Sequence, residues 1–135
     1  PLMNVSGVTG MAYMFANADN LNNGGAFIND WDVSNCPNFL NMFNGAANLD
    51  FNLSGWTIDS VQTYSFNGFL TNSGLPTARY DELLVWLDSE VTRLSLVGGY
   101  AFTAGNSKYT IGSAAETART NILANGWLLT DGGGV

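Results

Sequence analysis

The chain contains no histidine, one cysteine and only four basic residues. Histidine is the commonest general base and metal ligand near neutral pH, so its absence closes the usual route to both chemistries. Cys36 stands alone, which excludes an internal disulfide. Arg79, Arg93, Lys108 and Arg119 are scattered, whereas phosphate binding needs clustered cations. Nucleic acid is therefore not an expected partner, nor is an anionic membrane surface. No apolar run approaches the ~20 residues of a membrane span, so insertion by this segment is not expected. No signal peptide is visible. A start at Pro1 without a methionine leads us to expect a longer or processed gene product. Charged residues make up 11% of the chain, with a net charge of −7. Ordinary soluble domains carry about a quarter, so the polar surface here is hydrogen-bonding rather than ionic.

What is present is enough for one domain. The 135 residues are 46% hydrophobic, sufficient for a real core. Self-similarity then organises the reading. Val5 to Phe15, Val33 to Phe43 and Ile58 to Phe69 share one pattern: apolar, two polar, apolar, two polar, aromatic or Met, then an apolar pair. The third copy carries one extra residue before Phe69. Trp31 and Trp56 each precede the Val33 or Ile58 position by two residues, and Ile28 and Leu53 precede each Trp by three. The Trp residues are 25 apart and the first two copies are 28 apart, which places an insertion in Asn22-Asn23-Gly24-Gly25.

A period in the twenties suits a solenoid coil of one short strand and one helical turn. The expected fold is α/β: a right-handed, leucine-rich-repeat-like β/α solenoid with short parallel strands and a helical C-terminal cap. Strands are expected at 29–33 and 54–58, and short helical turns at 9–15, 37–43 and 63–69. Residues 1–74 would hold about three repeats, 75–131 the capping units of the same domain and 132–135 a loose tail. Within the cap, Thr77–Ser89 reads as an amphipathic helix with Tyr80, Leu83, Leu84 and Leu87 on one face. Leu94–Leu96 reads as a strand. Ser113–Asn125 reads as a helix with a Ser113/Glu116 capping box and Gly126 at its end. Trp127–Thr130 reads as a last strand.

The unit Trp31-Asp32-Val33-Ser34-Asn35-Cys36-Pro37-Asn38-Phe39, followed by Met42-Phe43, resembles the repeat of the BspA-like leucine-rich-repeat surface proteins. The run Ala104 to Arg119 and the final Gly126-Trp127…Thr130-Asp131-Gly132-Gly133 are similar to the end unit that follows such repeats. Cys36, Pro37 and the extended third copy depart from the pattern. The resemblance implies a surface-exposed adhesion or recognition protein, and similar repeats also occur in phage and virus products. It supplies no catalytic residue, and a fold does not fix a function.

The expected function is a non-catalytic module binding a host or neighbouring surface protein, or a glycan. Its expected location is the cell surface or a virion surface. The alternatives are a structural virion component, in contact with virion proteins, and a carbohydrate-active enzyme. Candidate binding residues are Trp31 and Trp56, whose ring faces suit sugars, and Asp30, Asp32 and Asp59 beside the expected strands. The competing reading makes the Trp pair a core ladder and the Asp residues turn formers. Cys36 occupies the position of Val8 and Val61 and reads as a small buried hydrophobe. Asp19 to Gly25 offers oxygen ligands for Ca²⁺, although Leu21 stands where a ligand should. Recurring Asn residues either saturate backbone groups or present a polar binding surface. Asn4-Val5-Ser6 and Asn52-Leu53-Ser54 match the glycosylation pattern, which matters only in a eukaryotic secretory pathway. No cofactor, metal site or catalytic residue is expected. Oligomeric state stays open.

Overall fold

A computed structural model describes residues 3–21 and 26–135. In order along the chain lie α1 (Ala26–Asn29), α2 (Thr77–Leu94), β1 (Ala101–Thr103), α3 (Ala114–Ala124) and β2 (Leu128–Thr130). No helix among the described residues is long and apolar enough to cross a membrane. One continuous hydrophobic core runs from Val5 to Leu129.

The region before α2 is built mostly of turns, and its backbone chemistry explains why. In the first copy the N–H groups of Met11, Tyr13, Phe15 and Asn17 donate to the carbonyls of Asn38, Leu40, Met42 and Asn44 in the second copy. The intervening N–H groups of Met14, Ala16 and Ala18 donate three residues back, to Met11, Tyr13 and Phe15. The second copy repeats this. Phe39, Asn41, Phe43 and Gly45 donate to Ser65, Asn67, Phe69 and Thr71, while Met42, Asn44 and Ala46 donate three residues back. Alternate donors therefore serve the neighbour and the local turn. Buried backbone groups need partners, and this arrangement supplies them without a regular element.

The path requires left-handed backbone at every fourth residue. Those positions are Tyr13 and Asn17, then Asn41 and Gly45, then Gly68 and Asn72. Asn and Gly adopt this conformation most readily. They also alternate between neighbours: a Cβ on Gly68 would overlap Oδ1 of Asn41, so only glycine admits the carboxamide above it. Aromatic rings follow the same stacking. Phe15 lies on Phe43 at 5.5 Å, and Phe39 on Phe66 at 5.4 Å with ring planes 9° apart.

These observations correct the expected fold class. The structure is a small mixed domain, not a β/α solenoid with a helical cap. Among the described residues the only named strands are β1 and β2, a two-stranded parallel pair with Ala101 opposite Leu128 and Thr103 opposite Thr130. Residues 29–33 and 54–58 form no strand, and 9–15, 37–43 and 63–69 hold turns and irregular backbone rather than helical turns, with Phe66 bridged in parallel to Phe102. The physical reason is a near-coincidence of periods. Left-handed turns recurring every four residues place apolar side chains almost where a 3.6-residue helix would.

The helices follow from local sequence. Pro76, at φ −62°, leads into α2, whose buried residues include Tyr80, Leu83, Leu84, Leu87 and Val91 on one face. The helix runs past Ser89 to Leu94 and ends at Ser95 in the left-handed region, φ 52°. The strand expected at 94–96 is thus the helix end and its reversal. Ser113 caps α3 as expected, its Oγ accepting from Ala115 N at 3.1 Å, but the reciprocal box does not form: Glu116 Oε2 accepts at 2.8 Å from Gly112 N, one residue before the cap, and not from Ser113 N. α3 is the crossover that lets β1 and β2 run parallel. The expected loose tail is tied down: Gly132 N donates to Ser107 O, Tyr109 N to Gly133 O and Val135 N to Tyr109 O.

Candidate functional site

The candidate residues from sequence do not form one site. Trp31 and Trp56 retain 2% and 1% of their exposure. Trp56 stacks on Phe39 at 5.3 Å and donates its Nε1–H to Ile28 O at 2.7 Å. Trp31 lies 6.0 Å from the Phe15 ring. Both rings are buried in the core, each against a phenylalanine. Asp30, Asp32 and Asp59 are exposed. Asp32 Oδ1 accepts from the hydroxyl of Ser34 at 2.7 Å and from its amide at 3.1 Å. These bonds, the hydroxyl's first, hold its carboxyl below the usual carboxylate range. Asn4 caps Ser6 in the same way, so this is repeated turn chemistry. Asp59 instead faces Arg93, Oδ1 to Nη2 at 2.7 Å. The three carboxylates thus have different surroundings: a turn for Asp32, an ion pair for Asp59 and open surface for Asp30.

Cys36 is fully buried, and burial raises its thiol pKa. Several Asn side chains bridge the copies: Asn35 Nδ2 donates to Ser6 O at 3.0 Å and Asn48 Nδ2 to Asp19 O at 2.6 Å. Of the calcium-loop reading, Asn22 to Gly25 lie outside the described residues. Among the described residues no cluster of acidic or thiol side chains could hold a metal ion.

Two other constellations are visible. The first is a buried carboxylate, Asp131, in a side-chain environment only 2% exposed. Its oxygens accept from Tyr80 Oη at 2.8 Å, from Arg119 Nε at 2.8 Å and Nη2 at 3.2 Å, and from Gly133 N at 3.1 Å. The Arg119 guanidinium also lies 5.0 Å from the Tyr109 ring centroid. Burial, then the Asp131 charge, pushes the Tyr80 phenol far above its ordinary 10.0. Every lone-pair direction of Asp131 is used, so this network joins α2, α3 and the segment after β2 rather than receiving a ligand.

The second is a cleft of ≈ 520 Å³ between the outer face of α2 and the start of α3. Its size lies in the ~300–1,000 Å³ range of ligand sites. Val85, Trp86, Ala114 and Ala115 line it; Ser54, Asp81, Glu82, Ser89 and Ser113 add polar groups, and the lining is mostly apolar. Trp86 is 6% exposed, held by its Nε1–H on Trp56 O at 3.0 Å. Val85 is 45% exposed. Asp81 is fixed by Thr110, whose amide and hydroxyl donate to it at 2.8 and 2.6 Å. Glu82 faces Arg79, Nη1 to Oε2 at 3.0 Å. The helix-face pattern identified the buried side of α2. It held no signal that α3 would stand beside the opposite side and make Val85 and Asp81 part of a concavity.

A family model described as "Mycoplasma protein of unknown function, DUF285" matches residues 2–72. No curated protein and no solved structure matches the chain. Of the cleft residues, only Ser54 falls inside the matched segment.

Proposed function

The chain belongs to the DUF285 family, and from that premise we propose that it is a non-catalytic, surface-displayed recognition module. Its ligand is a protein segment that carries an apolar anchor beside a cationic side chain. The observation that supports this reading is the cleft: an apolar floor at Trp86, Val85 and Ala114, bordered by Asp81 and Glu82. Aromatic and aliphatic pockets are where anchors bind most strongly, and an acidic border selects basic neighbours. The net charge of −7 adds long-range attraction for a cationic partner. Display outside a cell is supported by the likeness of the 31–43 unit to BspA-like surface proteins and by the low content of charge.

Panning a random peptide library against the immobilised chain tests the reading. Enriched peptides should pair an aromatic or aliphatic residue with Lys or Arg. Val85→Arg should weaken their binding by about tenfold or more, as a hot-spot loss does. No enrichment over a blank surface, or equal binding by Val85→Arg, would overturn it.

A further inference from the structure

We propose that Asn67-Gly68 is a self-modifying site, at which the Gly68 amide attacks the Asn67 side chain, expels ammonia and leaves aspartate or isoaspartate at position 67. The site lies among the turns, apart from the cleft, and is independent of what the cleft binds.

The chain holds four Asn-Gly pairs, beginning at Asn23, Asn44, Asn67 and Asn125. A glycine has no Cβ to shield its N–H, so each pair has the chemistry for ring closure. What differs is whether the fold engages the two reacting groups. Asn44 Nδ2 donates to Asn41 Oδ1 at 3.0 Å, and Gly45 N donates to Thr71 O at 2.8 Å. Asn125 Nδ2 donates to Asn121 O at 3.0 Å, and Gly126 N donates to Leu123 O at 3.0 Å. Both of these pairs are held. Asn23 lies outside the described residues. Asn67 is exposed, and among the described residues neither its carboxamide nor the Gly68 N–H has a hydrogen-bond partner.

The fold itself creates this opening. Tyr13 N donates to Leu40 O and Asn41 N to Asn67 O, but Gly68, the next left-handed residue of that series, meets no such acceptor. Three residues back, Ser65 O accepts from Phe39 N instead. Glycine is fixed at 68 because a Cβ there would overlap Asn41 Oδ1. The requirement that seats Asn41 therefore places the least shielded amide directly after Asn67. In the reaction a bond forms from Gly68 N to Asn67 Cγ and the Cγ–Nδ2 bond breaks. Nδ2 leaves as ammonia, carrying the proton of the Gly68 N–H. Water then opens the cyclic imide. Opening at Cγ leaves aspartate; opening at the main-chain carbonyl leaves isoaspartate, with the backbone longer by a methylene. That carbonyl accepts from Asn41 N at 3.0 Å, so isoaspartate disturbs the join between the second and third stretches. Either product adds a negative charge to a chain already at −7.

Peptide mapping by mass spectrometry of the whole chain, aged in mildly alkaline buffer with and without denaturant, tests this. Each conversion adds one mass unit at the modified residue. In the folded chain Asn67 should convert at least about tenfold faster than Asn44 and Asn125. In denaturant the three rates should converge, because the hydrogen bonds that separate them are gone. Asn67→Gln keeps a carboxamide but enlarges the ring to be closed, and position 67 should then stay unconverted over the same period. Asn67→Asp carries the charge without the longer backbone. Aged chain fractionated for isoaspartate should unfold at lower denaturant than Asn67→Asp. Conversion of Asn44 or Asn125 as fast as Asn67 in the folded chain overturns the proposal. So does a preference for Asn67 that survives in denaturant, which assigns it to neighbouring side chains rather than to the fold. Isoaspartate chain as stable as Asn67→Asp contradicts the loosened join.

Discussion

The two regions of this molecule satisfy their backbones by opposite means. Before Pro76, hydrogen bonds run between residues far apart in sequence, such as Phe15 N to Met42 O, and turns supply the rest. From Thr77 onward, 18 residues of α2 and 11 of α3 satisfy themselves locally. The first region depends on close backbone approach and on Asn and Gly at left-handed positions. The second depends on side chains: an apolar helix face, a capped N-terminus and the Asp131 network. Yet the regions share one core, because Phe66 packs on Phe102 at 5.0 Å and Trp86 bonds to Trp56 O. Substitutions should therefore break each region in its own way while unfolding both together.

The largest expected effect is in the second region. Asp131→Ala strands Arg119 and Tyr80, and loss of one partner of a buried ion pair costs about 3–5 kcal/mol. Denaturant titration should show this loss with an unchanged slope. A fall of less than about 1 kcal/mol would remove the network from the account. In the first region the sensitive point is backbone on backbone. A Cβ on Gly74 would overlap the carbonyl oxygen of Ala47, which no rotamer change can relieve. Gly74→Ala should destabilise by about 2–3 kcal/mol, the scale of overpacking. An unaltered unfolding midpoint would show that the turns yield more than their hydrogen bonding implies.

A pH series sharpens the contrast further. The Tyr80 phenol is held above its ordinary 10.0, so the native state keeps its proton where the unfolded state releases it. That contribution is fully present below about pH 10 and declines as pH rises beyond it. Tyr80→Phe should flatten the alkaline slope while costing about 1.5–3 kcal/mol at neutral pH for the lost bond to a carboxylate. An alkaline slope equal to that of wild type would contradict the assignment. The smallest expected effect is Ser113→Ala, which removes the α3 cap and should cost about 1 kcal/mol by thermal or chemical unfolding.

The same division governs what the sequence made legible. α3, its Ser113 cap and the Tyr80–Leu87 face of α2 were readable because each depends on residues within a few positions. The three stretches share a sequence pattern, carried by Trp31, Trp56 and the Met-Phe pairs, that was legible as a pattern. Their backbone was not. Left-handed residues at Tyr13 and Asn17 leave no pattern distinct from helical spacing, since a four-residue turn and a 3.6-residue helix place Met11 and Phe15 alike. The β1–β2 pair was half visible: Trp127–Thr130 overlaps β2, whereas Ala101–Thr103 is too short for alternation to mark it. The cleft was not legible at all. Val85 and Asp81 lie on the face of α2 that a helix pattern assigns to solvent, and only the placement of α3 makes that face concave.

The most direct test of the central claim is chemical-shift mapping of an isotope-labelled chain with a basic, apolar-anchored peptide recovered by panning. The account predicts shifts concentrated at Ser54, Asp81, Val85, the Trp86 indole and Ala114, with the turn region before Pro76 otherwise silent. Shifts centred instead on the exposed rings of Tyr13 and Tyr64 would place recognition on the first region and contradict it.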